Sequence, residues 1–357
     1  MKLHNFNSGP SILPQPVLEA ASRAILDFNG TGLSVLEIGH RTAWFQEILN
    51  EAISSVKTLM QLGDDHEVLF LHGGATTQFM QVPMNLLDEN AMAAYCDNGI
   101  WGNKAHKEAA LFGEVQVVSD TSDRKHSYIQ KDFAIPSDAS YLHITTNNTV
   151  EGTQWHQFPQ TAVPLVADMS SDIFCRPMDF NKFALIYAGA QKNMGAAGVN
   201  MTVIRKDILG KVSRKIPTIM DYSKHIAAGS LMNTPPVFAV YVSMLTLRWI
   251  LNEGGLPEMQ KRNRAKADLF YNTLDSLQEV YQPVVAKEDR SWMNGIFFLQ
   301  NPSLEESFLN LCKQEGMIGV KGYRTVGGVR ISMYNALPLE SVQTFCDLMR
   351  HFASKNG

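Results

Sequence analysis

The chain has 357 residues, 45% of them hydrophobic and 18% charged, with a formal net charge of −4. That length buries a large core and predicts two domains; the mixed charge excludes a basic nucleic-acid surface or a polyanionic tail. No apolar run reaches the ~20 residues of a membrane span, and Met1 to Asn7 carry no secretory pattern, so a cytoplasmic protein without membrane or nucleic-acid partners is expected.

Cys96, Cys175, Cys312 and Cys346 lie far apart. They read as reduced thiols without metal-ligand spacing, and no metal site is expected. In chain order, Asn7-Ser8-Gly9-Pro10 is a turn. Pro14 and Pro16 lead into an amphipathic helix over 17–28, with Leu18, Ala21, Ile25 and Phe28 as its stripe. A glycine-spaced loop then reaches Gly39-His40-Arg41, ahead of a second helix over 43–62. His40 and Arg41 can both donate to an anion; a helix-flanking charge pair is the plainer reading of those two residues alone.

The apolar run 68–72 is followed by Gly73-Gly74-Ala75-Thr76-Thr77 and a helical pattern through Leu87. Strand, glycines, hydroxyls and a helix start make a phosphate cradle, since free backbone N–H groups and the helix dipole both favour an anion. It is neither a Walker motif nor a dinucleotide fingerprint, and a tight strand-to-helix turn is the competing view. Further short strands are expected over 91–96, 115–118, 141–145, 165–168, 185–188 and 201–204, with helical stretches between several. Trp101 follows the first of these, Asn147 to Gly152 the third, and Asp168 closes the fourth. With 68–72 they give seven strands and an α/β domain: a mainly parallel sheet flanked by helices, with ligands at the strand ends.

Asn233-Thr234-Pro235-Pro236 reads as a rigid turn before a long helix over 237–252, and Gly254-Gly255 marks a boundary. Beyond it come a helix over 257–277, a strand over 293–299, a helix over 304–314, a strand pair within 317–333 and a last helix over 339–352. These form a small α+β domain of ~100 residues.

Lys192 stands in a run of small residues after strand 185–188, with no acidic residue from Leu185 to Arg205. Desolvation there would lower its pKa and make the amine a nucleophile, as Schiff-base formation with an aldehyde requires. A lone lysine is ordinarily a surface residue, so the reading depends on its company. Pyridoxal phosphate needs a lysine, a carboxylate for its ring nitrogen, an anion cradle and a flat group over the ring. Lys192, Asp168, the turn at Gly74 to Thr77 and Trp101 supply one of each.

Asn7 to Pro10, Gly39 to Arg41, Phe70 to Gly74, Ala167 to Ser171, Tyr187 to Asn193, Asn233 to Pro236 and Lys321 to Gly328 together resemble the phosphoserine aminotransferase family, of the class V aminotransferases with fold type I. The resemblance covers essentially the whole chain. It implies an N-terminal segment, 1–15, packing with the small domain; a large cofactor domain, 16–254; and a small domain, 255–357. It implies that Lys192 holds the cofactor aldehyde and moves the proton, that Asp168 pairs with the ring nitrogen and that Trp101 stacks on the ring. Ala75, Thr76 and Gln191 would contact its phosphate, and Thr149 would lie against the ring. A homodimer follows, with Asn233 and Thr234 reaching the neighbouring subunit's cofactor. Arg330 would clamp the α-carboxylate of phosphoserine or glutamate. His40, Arg41 and Arg324 would hold the distal phosphate or γ-carboxylate, with Ser8 nearby. Two departures stand out: Ala75-Thr76 where many relatives have Gly-Arg, and Tyr323-Arg324 where many have His-Arg, which makes the distal cluster less cationic. The nearest rival is another class V enzyme, a desulfurase or an alanine–glyoxylate transaminase; a desulfurase would need a mobile cysteine, for which Cys175 is the closest candidate.

Overall fold

The computed structural model describes residues 2–324 and 326–357; Thr325, within the glycine-rich segment quoted above, lies outside them. In chain order come β1 (His4–Asn5), α1 (Gln15–Leu26), α2 (Ala43–Met60), β2 (His66–His72), α3 (Ala75–Leu86), β3 (Met92–Asp97), α4 (Ile100–Ala109) and β4 (Glu114–Asp120). Then follow β5 (Leu142–Thr145), β6 (Leu165–Asp168), β7 (Leu185–Gly189), β8 (Val199–Arg205), α5 (Tyr222–Ala227) and α6 (Val237–Asn252). The rest is α7 (Gly255–Ser276), β9 (Tyr281–Pro283), β10 (Asn294–Leu299), α8 (Glu305–Gln314), β11 (Met317–Ile318), β12 (Val329–Ser332) and α9 (Leu339–Asn356).

The seven expected strands form one sheet in the order β2-β8-β7-β6-β5-β3-β4. β8 pairs antiparallel with both its neighbours, and the other pairings are parallel. Both faces are covered, which is why these strands read as continuous apolar runs. Successive side chains point to opposite faces. Val68, Phe70, Ile186 and Ala188 join the core under α1, α2 and α6; Leu69, Leu71, Leu185 and Tyr187 join the core under α3, α4 and α5. A separate core gathers side chains of α7, α8, α9, β10 and β12 around Phe270, Phe297 and Phe345, and takes in Phe6 from the N-terminal segment.

Several local expectations shift. α1 starts at Gln15 and carries Pro16 in its first turn, where proline's missing N–H costs nothing. The strand pair expected within 317–333 is not a hairpin. β11 pairs parallel with β1, His4 opposite Met317, while β12 pairs antiparallel with β10. The apolar pattern marked both strands but carried no information about their partners. β9 and α5 went unread, being only three and six residues long.

Candidate active site

β6 and β7 are adjacent and parallel, with Asp168 opposite Tyr187. Asp168 is the last residue of β6, and Lys192 follows the end of β7 at Gly189 by one turn, so the acid and the amine rise from neighbouring strand ends. The Ser170 hydroxyl accepts the N–H of Gly189 at 3.1 Å, and the Asp168 carboxylate accepts the N–H of Ser170 at 2.9 Å. Ser170 therefore ties the two strand ends together. Burial pushes the Asp168 carboxyl up, opposed by the Ser170 hydrogen bonds and by Lys192.

Lys192 donates from Nζ to Thr149 Oγ1 at 2.8 Å. Burial lowers its pKa to about 8; Asp168 and Asp172 resist that fall and Arg330 adds to it. Nζ also lies 5.9 Å from the Trp101 ring centroid. Thr149 belongs to the loop after β5, Trp101 to the first turn of α4, so three strand ends converge on one amine.

Arg330 enters from β12, opposite Ile296 of β10. It donates from Nη2 to Ser8 Oγ at 2.8 Å and from Nη1 to the Thr149 carbonyl at 3.4 Å. Its Nε is buried without a partner. The N-terminal segment holds both sides of this pair. Tyr334 donates its hydroxyl to the Ser8 carbonyl at 2.8 Å. Ser11 donates from its backbone to the Gln191 carbonyl at 2.9 Å and from its hydroxyl to the Lys192 carbonyl at 2.5 Å. The turn at Tyr334 is fixed in its turn by Lys266, which is buried and donates to the carbonyls of Met333 and Tyr334.

Gly74 precedes α3 and offers no side-chain cap, so the first N–H groups of the helix, at Ala75 and Thr76, face outward for an anion. A Cβ built on Gly74 meets nothing within 4 Å, so the approach to that helix start is open. The Trp101 indole N–H is buried and unpartnered. The buried carboxylate, the depressed amine and the indole near it fit pyridoxal phosphate, and the uncapped start of α3 is suited to its phosphate.

Other expected site residues stand apart in the single chain. His40 is half-buried, while Arg41 and Arg324 are exposed. Among the described residues no hydrogen bond or ion pair links them to Lys192, Asp168 or Arg330. Asn233 is half-buried and Thr234 exposed; the Thr234 carbonyl bonds His72 Nε2 at 2.5 Å, which fixes the turn before α6. Three residues that join the crevice carry no role in the sequence reading: Ser11, and Ser170 and Glu151, which lie within the quoted segments Ala167 to Ser171 and Asn147 to Gly152. Glu151 offered one signal, an acid two positions past Thr149 in the loop that leaves β5.

The family model for "Aminotransferase class-V" matches residues 3–345. The chain belongs to the class-V aminotransferases. A phosphoserine aminotransferase of Flavobacterium johnsoniae is 52% identical over 99% of this chain and 100% of that protein. Among solved structures, phosphoserine aminotransferase from Bacillus circulans subsp. alkalophilus superposes with a TM-score of 0.97 at 41% identity, over 100% of this chain and 99% of that one. A PLP-bound phosphoserine aminotransferase from Trichomonas vaginalis does so at 0.91 and 32%, over 98% and 100%.

Within this aminotransferase family the desulfurase alternative finds no support. Cys175 is fully buried, its thiol pushed up by that burial, and all four cysteines are buried. A nucleophilic cysteine needs exposure and a lowered pKa.

Proposed function

We propose that this class-V aminotransferase exchanges the amino group between O-phospho-L-serine plus 2-oxoglutarate and 3-phosphooxypyruvate plus L-glutamate, with pyridoxal phosphate as cofactor, in L-serine biosynthesis. One observation carries the reading. Thr149 bonds Lys192 through its hydroxyl and Arg330 through its carbonyl, so the amine that handles the α-proton and the cation that grips the α-carboxylate share one anchor.

When bound, the cofactor supplies an aldehyde and an electron sink. Lys192 would hold that aldehyde and would carry the α-proton at Nζ; its pKa of about 8 suits a proton carrier near neutral pH. Asp168 would hold the ring-nitrogen proton, and the α3 start with Ala75, Thr76 and Gln191 would hold the phosphate. Trp101 and Thr149 would hold the ring. Arg330 presents a planar fork to the α-carboxylate, and Ser8 orients that fork. His40, Arg41 and Arg324 receive the distal anion. A cluster of donors, unlike a shape-matched pocket, accepts both a phosphate and a γ-carboxylate. 4-Phosphohydroxy-L-threonine carries the same two anionic ends, and its turnover at this site would link the enzyme to pyridoxine biosynthesis.

The working unit is a homodimer in which Asn233 and Thr234 serve the neighbouring subunit's cofactor. The exposure of Thr234 in the single chain supports this, since a group at the surface of one copy is free to enter a neighbour's site. Residues 1–15 act with the small domain, 255–357, through the β1–β11 pairing and Phe6; residues 16–254 hold the cofactor. Four free, buried cysteines support a reducing, cytoplasmic setting, and no described helix is long and apolar enough to cross a membrane.

The test is an assay of the purified protein with phosphoserine, cysteine or alanine as amino donor. Glutamate formation from 2-oxoglutarate should be at least about a hundredfold more efficient with phosphoserine, because a site built to pair a distal anion rejects donors that leave it unpaired. Equal use of alanine would end the reading.

A further inference from the structure

The loop after β5 carries a second buried acid. Glu151 Oε1 accepts the N–H of Ile100, the first residue of α4, at 2.9 Å. Its Oε2 is buried and has no donor, and neither has the buried Asn148 Oδ1. The two oxygens converge at Gly99: a Cβ built there would lie 2.6 Å from Glu151 Oε2 and 2.9 Å from Asn148 Oδ1. Asn148 Nδ2 is committed to Thr153 Oγ1 at 2.9 Å. Both oxygens thus border Gly99, each buried without a donor, and leaving two buried acceptors unpaired costs free energy.

We propose that Glu151 is a positioning residue kept as the neutral acid, its Oε2 hydroxyl donating to Asn148 Oδ1, so that one carboxyl clamps the Thr149 loop to the end of α4 that bears Trp101. Its bearing on catalysis rests on the roles proposed above for Thr149 and Trp101; the proton itself does not. Burial raises the Glu151 carboxyl to about 7; Asp97, at the end of β3, adds to that, and the Ile100 N–H and Arg330 oppose it. Asp97 is in turn held by His106 at 3.1 Å and Asn103 at 2.7 Å. While it keeps its proton, Glu151 leaves the charge of Arg330 undivided for a substrate carboxylate. The rival arrangement has the Asn148 amide turned over, donating to an ionised Glu151 and accepting from Thr153.

Glu151→Gln separates the two, because its amide supplies the proposed donor at every pH. An acid whose folded pKa of about 7 exceeds its ordinary 4.5 loses native stability as pH climbs from 4.5 through 7, and no more above that. In thermal unfolding of the cofactor-loaded protein, the midpoint of E151Q minus that of wild type should widen by roughly 2–4 °C between pH 5 and 7, then stay level to pH 9. A gap independent of pH, or an E151Q protein that does not fold, overturns the proposal. Pyridoxal phosphate affinity of the cofactor-stripped protein, read by tryptophan quenching at pH 6.5, tests the clamp. Glu151→Leu should bind about tenfold more weakly, and E151Q should recover most of that loss. Equal affinity in all three proteins overturns the positioning role. The unfolding gap does not depend on which amino donor is used, so it stands or falls apart from the phosphoserine assay.

Discussion

Lys192 shows how a single residue acquires chemistry from its surroundings. An ordinary lysine at pH 7 is a free amine in roughly one molecule in 3,000; with a pKa of about 8 the fraction is about one in ten. The cause is desolvation, only partly offset by Asp168 and Asp172. A sign follows for the pH dependence. The neutral amine attacks an aldehyde, so cofactor uptake by stripped protein should speed up as pH rises through 8 and then level off. Stopped-flow absorbance from pH 6 to 10 reads this directly. A rate still climbing tenfold per unit beyond pH 9 would mean that Lys192 keeps an ordinary pKa. Among the neighbours, Thr149 matters because its hydroxyl accepts from Lys192 without adding charge.

At the scale of elements, β12 brings an arginine into a crevice made by another sheet. Its place is set by β10, through the pairs Asn294–Ser332 and Ile296–Arg330. β10 in turn packs flush against α7, since a Cβ on Gly295 would fall 2.2 Å from the Phe270 ring. Arg330 is buried, and its charge-assisted bonds would be replaced by weaker ones in Arg330→Gln. The α-carboxylate is common to phosphoserine and glutamate, so kcat/KM should fall about 10²–10³-fold for both, the size expected for a buried charge pair losing one member. A loss confined to phosphoserine would move Arg330 from the α-carboxylate to the distal anion.

At the scale of the whole molecule, the proposed dimer makes a quantitative claim. Lys192→Ala chains lack the amine; Asn233→Ala/Thr234→Ala chains lack the reach into the neighbour's site. Each homodimer should be nearly inactive. Random mixing of subunits should restore about a quarter of wild-type activity, because half the dimers are mixed and each of those has one intact site. No recovery after verified subunit exchange would place Asn233 and Thr234 in their own chain's site. The N-terminal segment works at this scale too: β1 joins the small sheet while Ser8 and Ser11 touch Arg330 and the Lys192 carbonyl. It therefore couples the two cores through the crevice itself.

The local sequence was enough for the seven strands, because each is a short apolar run buried on both faces, and for Asp168 and Lys192, because consecutive strands of a parallel sheet tend to be neighbours. The strand-to-helix turn at Gly74 was legible too, because a strand, a glycine pair and a helix start lie within a dozen residues. What only the tertiary structure decided involves partners far apart in the chain. β11 sits beside β1 instead of β12, Ser8 meets Arg330 across 322 positions, and Glu151 finds Ile100 at the start of α4. Hydrophobic period records which face of an element is buried, and says nothing of what covers it. His40, Arg41 and Arg324 follow the same rule: among the described residues no hydrogen bond or ion pair joins them to Lys192, Asp168 or Arg330.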